Sequence, residues 1–271
     1  MNKQSRSGSH SQASKNNKEF RAIWISDVHL GFRGARADLL LDFLHRAQCE
    51  KLYLVGDIVD MWSMKKRPYW PQSHNDVIRT ILGKAKYGTE VIYVPGNHDE
   101  LLRAYVGHEF GNISIQDPAI HVRRNGEKML VLHGDQFDAA VASSRWIGML
   151  GSLVYELLLG ANTILNRARR AFGFPYWSLA KFLKNKVKNA VQYISIYERA
   201  VAEAARRYGV SGVVCGHIHR AEVITIDGIL YCNCGDWVEG CTALVEHDDG
   251  HIELVDWSLT ENLPLHIKAA A

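Results

Sequence analysis

The sequence predicts a layered α/β domain interrupted late in the chain by a helical insertion. Three observations carry that expectation. Short apolar runs of strand-forming residues recur, bounded by Gly or Pro, as in strands buried on both faces. Amphipathic helical stretches lie between the first three of these runs. After Arg220 the texture changes to hairpins, with turns at Asp227-Gly228 and Asp249-Gly250.

At 271 residues, 47% of them hydrophobic, the chain can build one sizeable domain with an elaboration. Residues 1–19 hold no large apolar residue after Met1 and read as a disordered tail; they also lack the apolar run of a secretory signal. AIWIS (22–26) then leads into Asp27-Val28-His29, and the helical pattern of 38–46 presents Leu39, Leu40, Phe43 and Leu44. KLYLV (51–55) leads into Gly56-Asp57, with Asp60 following, and 74–86 presents Val77, Ile78, Ile81 and Leu82. VIYV (91–94) runs through Pro95-Gly96 into Asn97-His98-Asp99. KMLVL (128–132) leads into His133-Gly134-Asp135, and GVVC (212–215) into Gly216-His217-Ile218-His219. The main domain is expected over 20–137 and 201–271, with 138–200 inserted.

Five cysteines are too few and too irregular for a disulfide framework, and Cys232 and Cys234 alternate on a predicted strand, where they share one face. Packing is their expected role, in a reducing cytoplasm.

The net charge of +3 is unevenly spread, because residues 138–200 carry nine Arg or Lys against three acids. Within the insert, 146–165 is twenty residues long with Glu156 as its one charge. A single span there would put His133 and His217 on opposite sides of a bilayer. If both serve one site, the run turns back or lies flat. From Arg167 to Lys188 seven basic residues and no acid interleave with Phe172, Phe174, Tyr176, Trp177, Phe182 and Leu183. That composition fits an interfacial surface facing anionic lipid, or a helical subdomain packed on the main domain with solvated lysines outside. No nucleic acid partner is expected.

Asp27, His29, Asp57, Asn97, His133, His217 and His219 all fall at strand ends. One DxH or GD motif alone is weak. Five successive strand ends carrying such residues are specific, because ligands of open α/β sheets bind outside the carboxyl ends of the strands. The series DxH, GDxxD, GNHD, HGD and GHxH resembles the calcineurin-like binuclear metallophosphoesterase family from about Ala22 to Trp257. The resemblance implies a β-sandwich flanked by helices and two divalent metal ions. One would be held by Asp27, His29, Asp57 and His219. The other would be held by Asp57, Asn97, His133 and His217, with Asp57 bridging. Imidazole, carboxylate and amide oxygen without thiolate suit manganese first, with iron or zinc as alternatives. His98 is then free to protonate the leaving oxygen or bind a developing oxyanion, with Asp99 expected to orient it. Asp60 and Asp135 read as outer partners of the site or as turn acids.

The insert, and in particular YWSLAKFLKNKVKNAV, is similar to the cap of the UDP-diacylglucosamine pyrophosphohydrolases of lipid A synthesis. Arg167, Arg170, Trp177, Lys181, Lys184 and Lys188 are accordingly candidates for binding substrate. One departure matters: those enzymes carry GNRD where this chain has GNHD. An expelled phosphate needs little protonation, so Arg suffices there, whereas His98 suits a poorer, alkoxide-like leaving group.

The expected function is metal-dependent hydrolysis of a phosphoester or pyrophosphate bond. The substrate would be a phosphorylated amphiphile or nucleotide-sugar lipid of the UDP-2,3-diacylglucosamine type. The enzyme would be cytoplasmic, peripheral on the anionic inner face of the membrane. The alternatives are a soluble phosphodiesterase or phosphatase acting on nucleotides or phosphoproteins, and a non-catalytic metal-binding scaffold. A scaffold needs neither an acid nor an orienting carboxylate.

Overall fold

The computed structural model describes residues 18–138 and 179–258, with 179–192 described as backbone only. Two sheets stack face to face. The larger contains β1 (Lys18–Ile25), β2 (Ala47–Val55), β3 (Glu90–Val94), β4 (Glu109–Phe110), β5 (Ile113–Ile115), β11 (Thr242–Glu246) and β12 (Ile252–Asp256). Their order is β12-β11-β1-β2-β3-β5-β4. The smaller contains β6 (Ala119–Val122), β7 (Lys128–Val131), β8 (Gly212–Cys215), β9 (Glu222–Ile226) and β10 (Ile229–Asn233), in the order β6-β7-β8-β10-β9. β1, β2, β3 and β5 run parallel, as do β7, β8 and β10.

Parallel neighbours need crossovers, and helices α1 (Ala37–Arg46) and α3 (Gln72–Lys86) supply them between β1, β2 and β3. A short helix, α2 (Met61–Lys66), lies between β2 and α3. The last described helix, α4 (Leu179–Arg207), precedes β8.

The period of two along each strand sorts side chains into layers. Ile23, Ile25, Leu52 and Leu54 face Leu40, Phe43, Leu44, Val77 and Ile81 of the helices. The alternate residues Ala22, Trp24, Tyr53, Val55, Ile92 and Val94 fill the space between sheets, against Met129, Val131 and Val214. Cys232 and Cys234 belong to that same inner layer, as their alternation predicts, and all five cysteines are free. On the outer face of the smaller sheet, Leu130, Val213 and Tyr231 meet Tyr197, Val201 and Ala205 of α4. The result is helix, sheet, sheet, helix.

Two boundaries differ from expectation. β1 opens at Lys18, inside the presumed tail, because Lys18 and Glu19 pair through their backbones with Ala47 and Gln48, which needs no apolar side chain. The expected edge of the insertion at 200/201 falls inside α4. That helix runs through it unbroken and already packs on the smaller sheet at Tyr197. The apolar run 146–165 and Arg167, Arg170 and Trp177 lie outside the described residues. Lys181, Lys184 and Lys188 lie on the backbone-only part of α4. Among the described residues no helix is long and apolar enough to cross a membrane.

Candidate metal centre

The candidate ligand residues stand just beyond five strand ends. β1 leads to Asp27 and His29, β2 to Asp57, β3 to Asn97, β7 to His133, and β8 to His217 and His219. Asp27, His29, Asp57, His217 and His219 all adopt left-handed backbone, with φ of 52°, 54°, 55°, 71° and 53°. Asp and His tolerate that region better than most residues, yet it persists only where surrounding structure enforces it. Here the enforcement is backbone lacing: Asp27 N–H donates to Gly56 O (3.1 Å), His29 N–H to Asp57 O (2.9 Å) and Leu30 N–H to Ile58 O (2.9 Å).

Each aspartate gives one oxygen to the backbone and keeps the other for the site. Asp57 Oδ1 accepts from His98 N–H at 2.8 Å. Its Oδ2 lies 3.4 Å from His133 Nε2, 3.9 Å from His98 Nε2 and 4.0 Å from His29 Nε2. Asp27 Oδ2 accepts from His217 N–H at 2.9 Å, and its Oδ1 lies 3.1 Å from His219 Nε2 and 3.9 Å from His29 Nε2. The Nε2 atoms of His29 and His219 face each other at 3.4 Å. Asp27, His29 and His219 form one group whose ligand atoms lie within 4.8 Å of one another, and Asp27, Asp57 and His133 form a second.

Divalent cations fit this arrangement. Asp27 Oδ1, Asn97 Oδ1 and His133 Nε2 are buried and make no hydrogen bond, an expensive state unless something else uses their lone pairs. His133 Nδ1 is 3.0 Å from Val55 O and donates to it, which leaves Nε2 as the acceptor facing Asp57. His29 Nδ1 faces Asp60 Oδ2 at 3.4 Å, which turns its Nε2 inward in the same way. Burial alone would push the Asp27 and Asp57 carboxyls up, but the neighbouring histidines outweigh it and hold both below the usual carboxylate range. Burial likewise pushes His133 down, yet the two carboxylates outweigh it and raise that imidazole to about 10. A site that draws protons onto buried histidine is one in which cations relieve the same negative field.

Two glycines make the approach possible. A Cβ on Gly96 would run into Asp57 Oδ1, and one on Gly56, whose φ is +75°, into the His133 ring.

The calcineurin-like phosphoesterase family model matches residues 20–221, which takes in every one of these groups. The chain belongs to the calcineurin-like phosphoesterase family. It is therefore a metal-dependent hydrolase acting on phosphoester or pyrophosphate bonds, in a family that binds a divalent metal pair. It is 28% identical to the UDP-2,3-diacylglucosamine hydrolase of Xanthomonas campestris pv. campestris, over 84% of this chain and 96% of that protein. It is 24% identical to the enzyme of the same name from Haemophilus influenzae, over 84% and 95%. Among solved structures, Vps29 of Entamoeba histolytica complexed with zinc aligns at 15% identity and a TM-score of 0.45, covering 91% of this chain and 96% of that one.

Two further candidate ligands of this phosphoesterase border the same centre. His217 packs edge-on to His133, with ring centroids 5.2 Å apart, and its Nε2 meets Asp138 Oδ1 at 2.9 Å. Asn97 contributes the orphaned amide oxygen already described. A cleft of about 380 Å³ opens above the centre, bordered by His29, Asp57, His98, His217 and His219, with Phe32 at its lip.

The role expected of Asp99 is corrected by its contacts. Asp99 is fully buried and does not touch the His98 ring. Its Oδ2 accepts from Ile58 N–H (2.8 Å), Val59 N–H (3.4 Å) and Tyr93 Oη (2.5 Å), and its Oδ1 from Gly96 N–H (2.6 Å). It ties the loop after β2 to the turn that presents Asn97. The carboxylate beside His98 belongs to Asp60, whose Oδ1 lies 3.0 Å from His98 Nδ1, off the line of a hydrogen bond. Asp60 thus faces Nδ1 of both His29 and His98 while capping α2 through Ser63 N–H (2.7 Å) and Ser63 Oγ (2.8 Å). Burial pushes its carboxyl up, but these partners outweigh it and keep it ionised. Asp135 is an anchor as well: Arg103 clamps it at 2.7 and 2.9 Å while reaching Asp117 and Pro95 O.

Proposed function

We propose that this chain is a manganese-dependent phosphoesterase or pyrophosphatase of an amphiphilic phosphorylated substrate, of the UDP-2,3-diacylglucosamine type. It would work in the cytoplasm, peripherally on the anionic inner face of the membrane. The observation that carries the reaction class is Asp57 Oδ2, a single carboxylate oxygen with His29 Nε2 at 4.0 Å and His133 Nε2 at 3.4 Å, one imidazole from each ligand set, as a bridging ligand requires. Asp27, His29, Asp57 and His219 would hold one ion, and Asp57, Asn97, His133 and His217 the other. Such a pair, when bound, lowers the pKa of water and neutralises charge on the phosphoryl group. The chain's own part is positional: left-handed ligand loops fix the donors, and His98 Nε2 faces the same oxygen as the ligands. That placement suits delivery of a proton from Nε2 to the oxygen that leaves.

The substrate class is supported by the similarity to the two diacylglucosamine hydrolases over nearly their whole length. The basic, aromatic stretch from Arg167 to Lys188 supports it too, with Arg167, Arg170, Trp177, Lys181, Lys184 and Lys188 as the residues to meet the substrate. A second reading, an alkyl phosphoester in place of a pyrophosphate, is favoured by one residue, His98.

The test compares kcat for UDP-2,3-diacylglucosamine with kcat for a series of phosphodiesters of rising leaving-group pKa, for wild type and His98→Ala, with manganese. We expect metal-dependent turnover, and a His98→Ala loss of about 100-fold on alkyl esters that shrinks for nitrophenyl esters. Turnover by rigorously metal-free protein would refute the reaction class. Parallel lines for the two enzymes would refute the acid role of His98. An inert response to the diacylated nucleotide sugar would refute the substrate class.

A further inference from the structure

We propose that Trp62 is a positioning residue for His98, its indole face holding the imidazole so that Nε2 addresses the leaving oxygen. The inference rests on the acid role proposed for His98. It begins from a short helix beside the site. α2 spans only Met61–Lys66 and has no fully buried residue, although Met64 packs against Gly31. Its other contacts are with His98. Asp60, its N-cap, lies 3.0 Å from His98 Nδ1. Met61 N–H donates to His98 O at 3.2 Å. Trp62 lies against the ring itself, with centroids 4.5 Å apart and planes 34° from parallel.

Three successive residues therefore grip His98 by its carbonyl, its Nδ1 and its π face. On another side His29 meets the ring edge-on, with centroids 4.6 Å apart at 88°. The contacts leave Nε2 as the ring atom facing Asp57 Oδ2, at 3.9 Å. A half-buried imidazole that nothing holds rotates about two side-chain bonds, and each misdirected rotamer is one in which its proton cannot be delivered. Trp62 is 41% exposed, so its large ring is held at the rim of the site and not in the core.

The experiment is a double-mutant cycle on the manganese-loaded full chain, with an alkyl and a nitrophenyl phosphodiester as probes. Trp62→Ala should lower kcat on the alkyl ester by about 10-fold with little change in KM, and by much less on the nitrophenyl ester. Trp62→Phe, which keeps an aromatic face, should recover most of the loss. In a His98→Ala background, Trp62→Ala should cost nothing further. Metal content, by elemental analysis, should be unchanged in every variant.

A loss that survives in the His98→Ala background, or that falls on KM, would make Trp62 a substrate platform and overturn the inference alone. Loss of metal from Trp62→Ala would place its effect at His29 and overturn it too. A His98→Ala enzyme as fast as wild type would overturn the acid reading and, with it, this inference.

Discussion

Asp99→Asn separates the structural role of this carboxylate from a direct part in chemistry. Asparagine keeps the shape but can accept through one atom only. Placed so that its oxygen serves Ile58, Val59 and Tyr93, its amide nitrogen faces Gly96 N–H, where Asp99 Oδ1 now accepts at 2.6 Å. One buried donor is then left unpaired, at a cost of about 1–3 kcal/mol, and the remaining bonds lose their charge assistance. Together these should destabilise the fold by about 2–4 kcal/mol. For a domain of this size that lowers Tm by roughly 4–16 °C. The donor that suffers, Gly96 N–H, immediately precedes Asn97, so metal affinity should fall as well. Differential scanning calorimetry of metal-free protein measures the first effect, and manganese titration the second. At saturating manganese, the dependence of kcat on leaving-group pKa should match wild type. A variant as stable as wild type would refute the hydrogen-bond account. A stable variant with the leaving-group response of His98→Ala would restore Asp99 as the residue that orients His98.

The other expectations follow from single contacts. Asp57→Ala should remove both ions, where His219→Ala removes one; elemental analysis of the purified variants counts them. Gly96→Ala puts a methyl group against Asp57 Oδ1 and should weaken manganese binding by about 10- to 100-fold, read by calorimetric titration, while the circular dichroism of the fold is retained. Glu246 is fully buried; burial pushes its carboxyl up, but His121 (2.9 Å), Arg124 N–H (2.9 Å) and Arg21 (3.3 Å) outweigh it and hold it below its ordinary 4.5. A depressed folded value stabilises the native state above pH 4.5 and is lost as pH falls through that folded value. The urea midpoint of Glu246→Gln should therefore decline less than that of wild type below pH 4.5, and an equal decline would refute the assignment.

Much of the candidate site was legible because its donors lie two to four residues past strand ends that are themselves legible. Buried parallel strands read as apolar runs, and a run that stops at Gly-Asp or Gly-Asn announces both the strand and what it presents. The hairpins around Asp227-Gly228 and Asp249-Gly250 were equally plain. β4, β5 and β6 were not, since strands of two to four residues show no period. α2 was missed because a six-residue helix that buries nothing leaves no apolar face to detect. The Tyr53–His121–Glu246 chain between the sheets joins residues up to 193 positions apart (246 − 53), beyond any local pattern.

The mistaken partner of His98 has a more specific cause. In GNHD the carboxylate adjoins the histidine in sequence, and in GDxxD it is far away, so proximity along the chain favours Asp99. Proximity in space is decided by where the turn at Pro95-Gly96 throws each side chain. The same lacing that forces left-handed backbone on Asp27, His29 and Asp57 pulls the loop after β2 under that turn. Asp99 then meets the backbone amides of Ile58 and Val59, and Asp60 emerges on the side where both His29 and His98 expose Nδ1. One carboxylate facing both His29 and His98 couples the proposed metal ligand to the proposed proton donor. The histidine of GNHD is therefore met by a segment that lies far from it in the chain. An imidazole delivers a proton only if something fixes its ring, and in this chain the segment 60–62 is built against it.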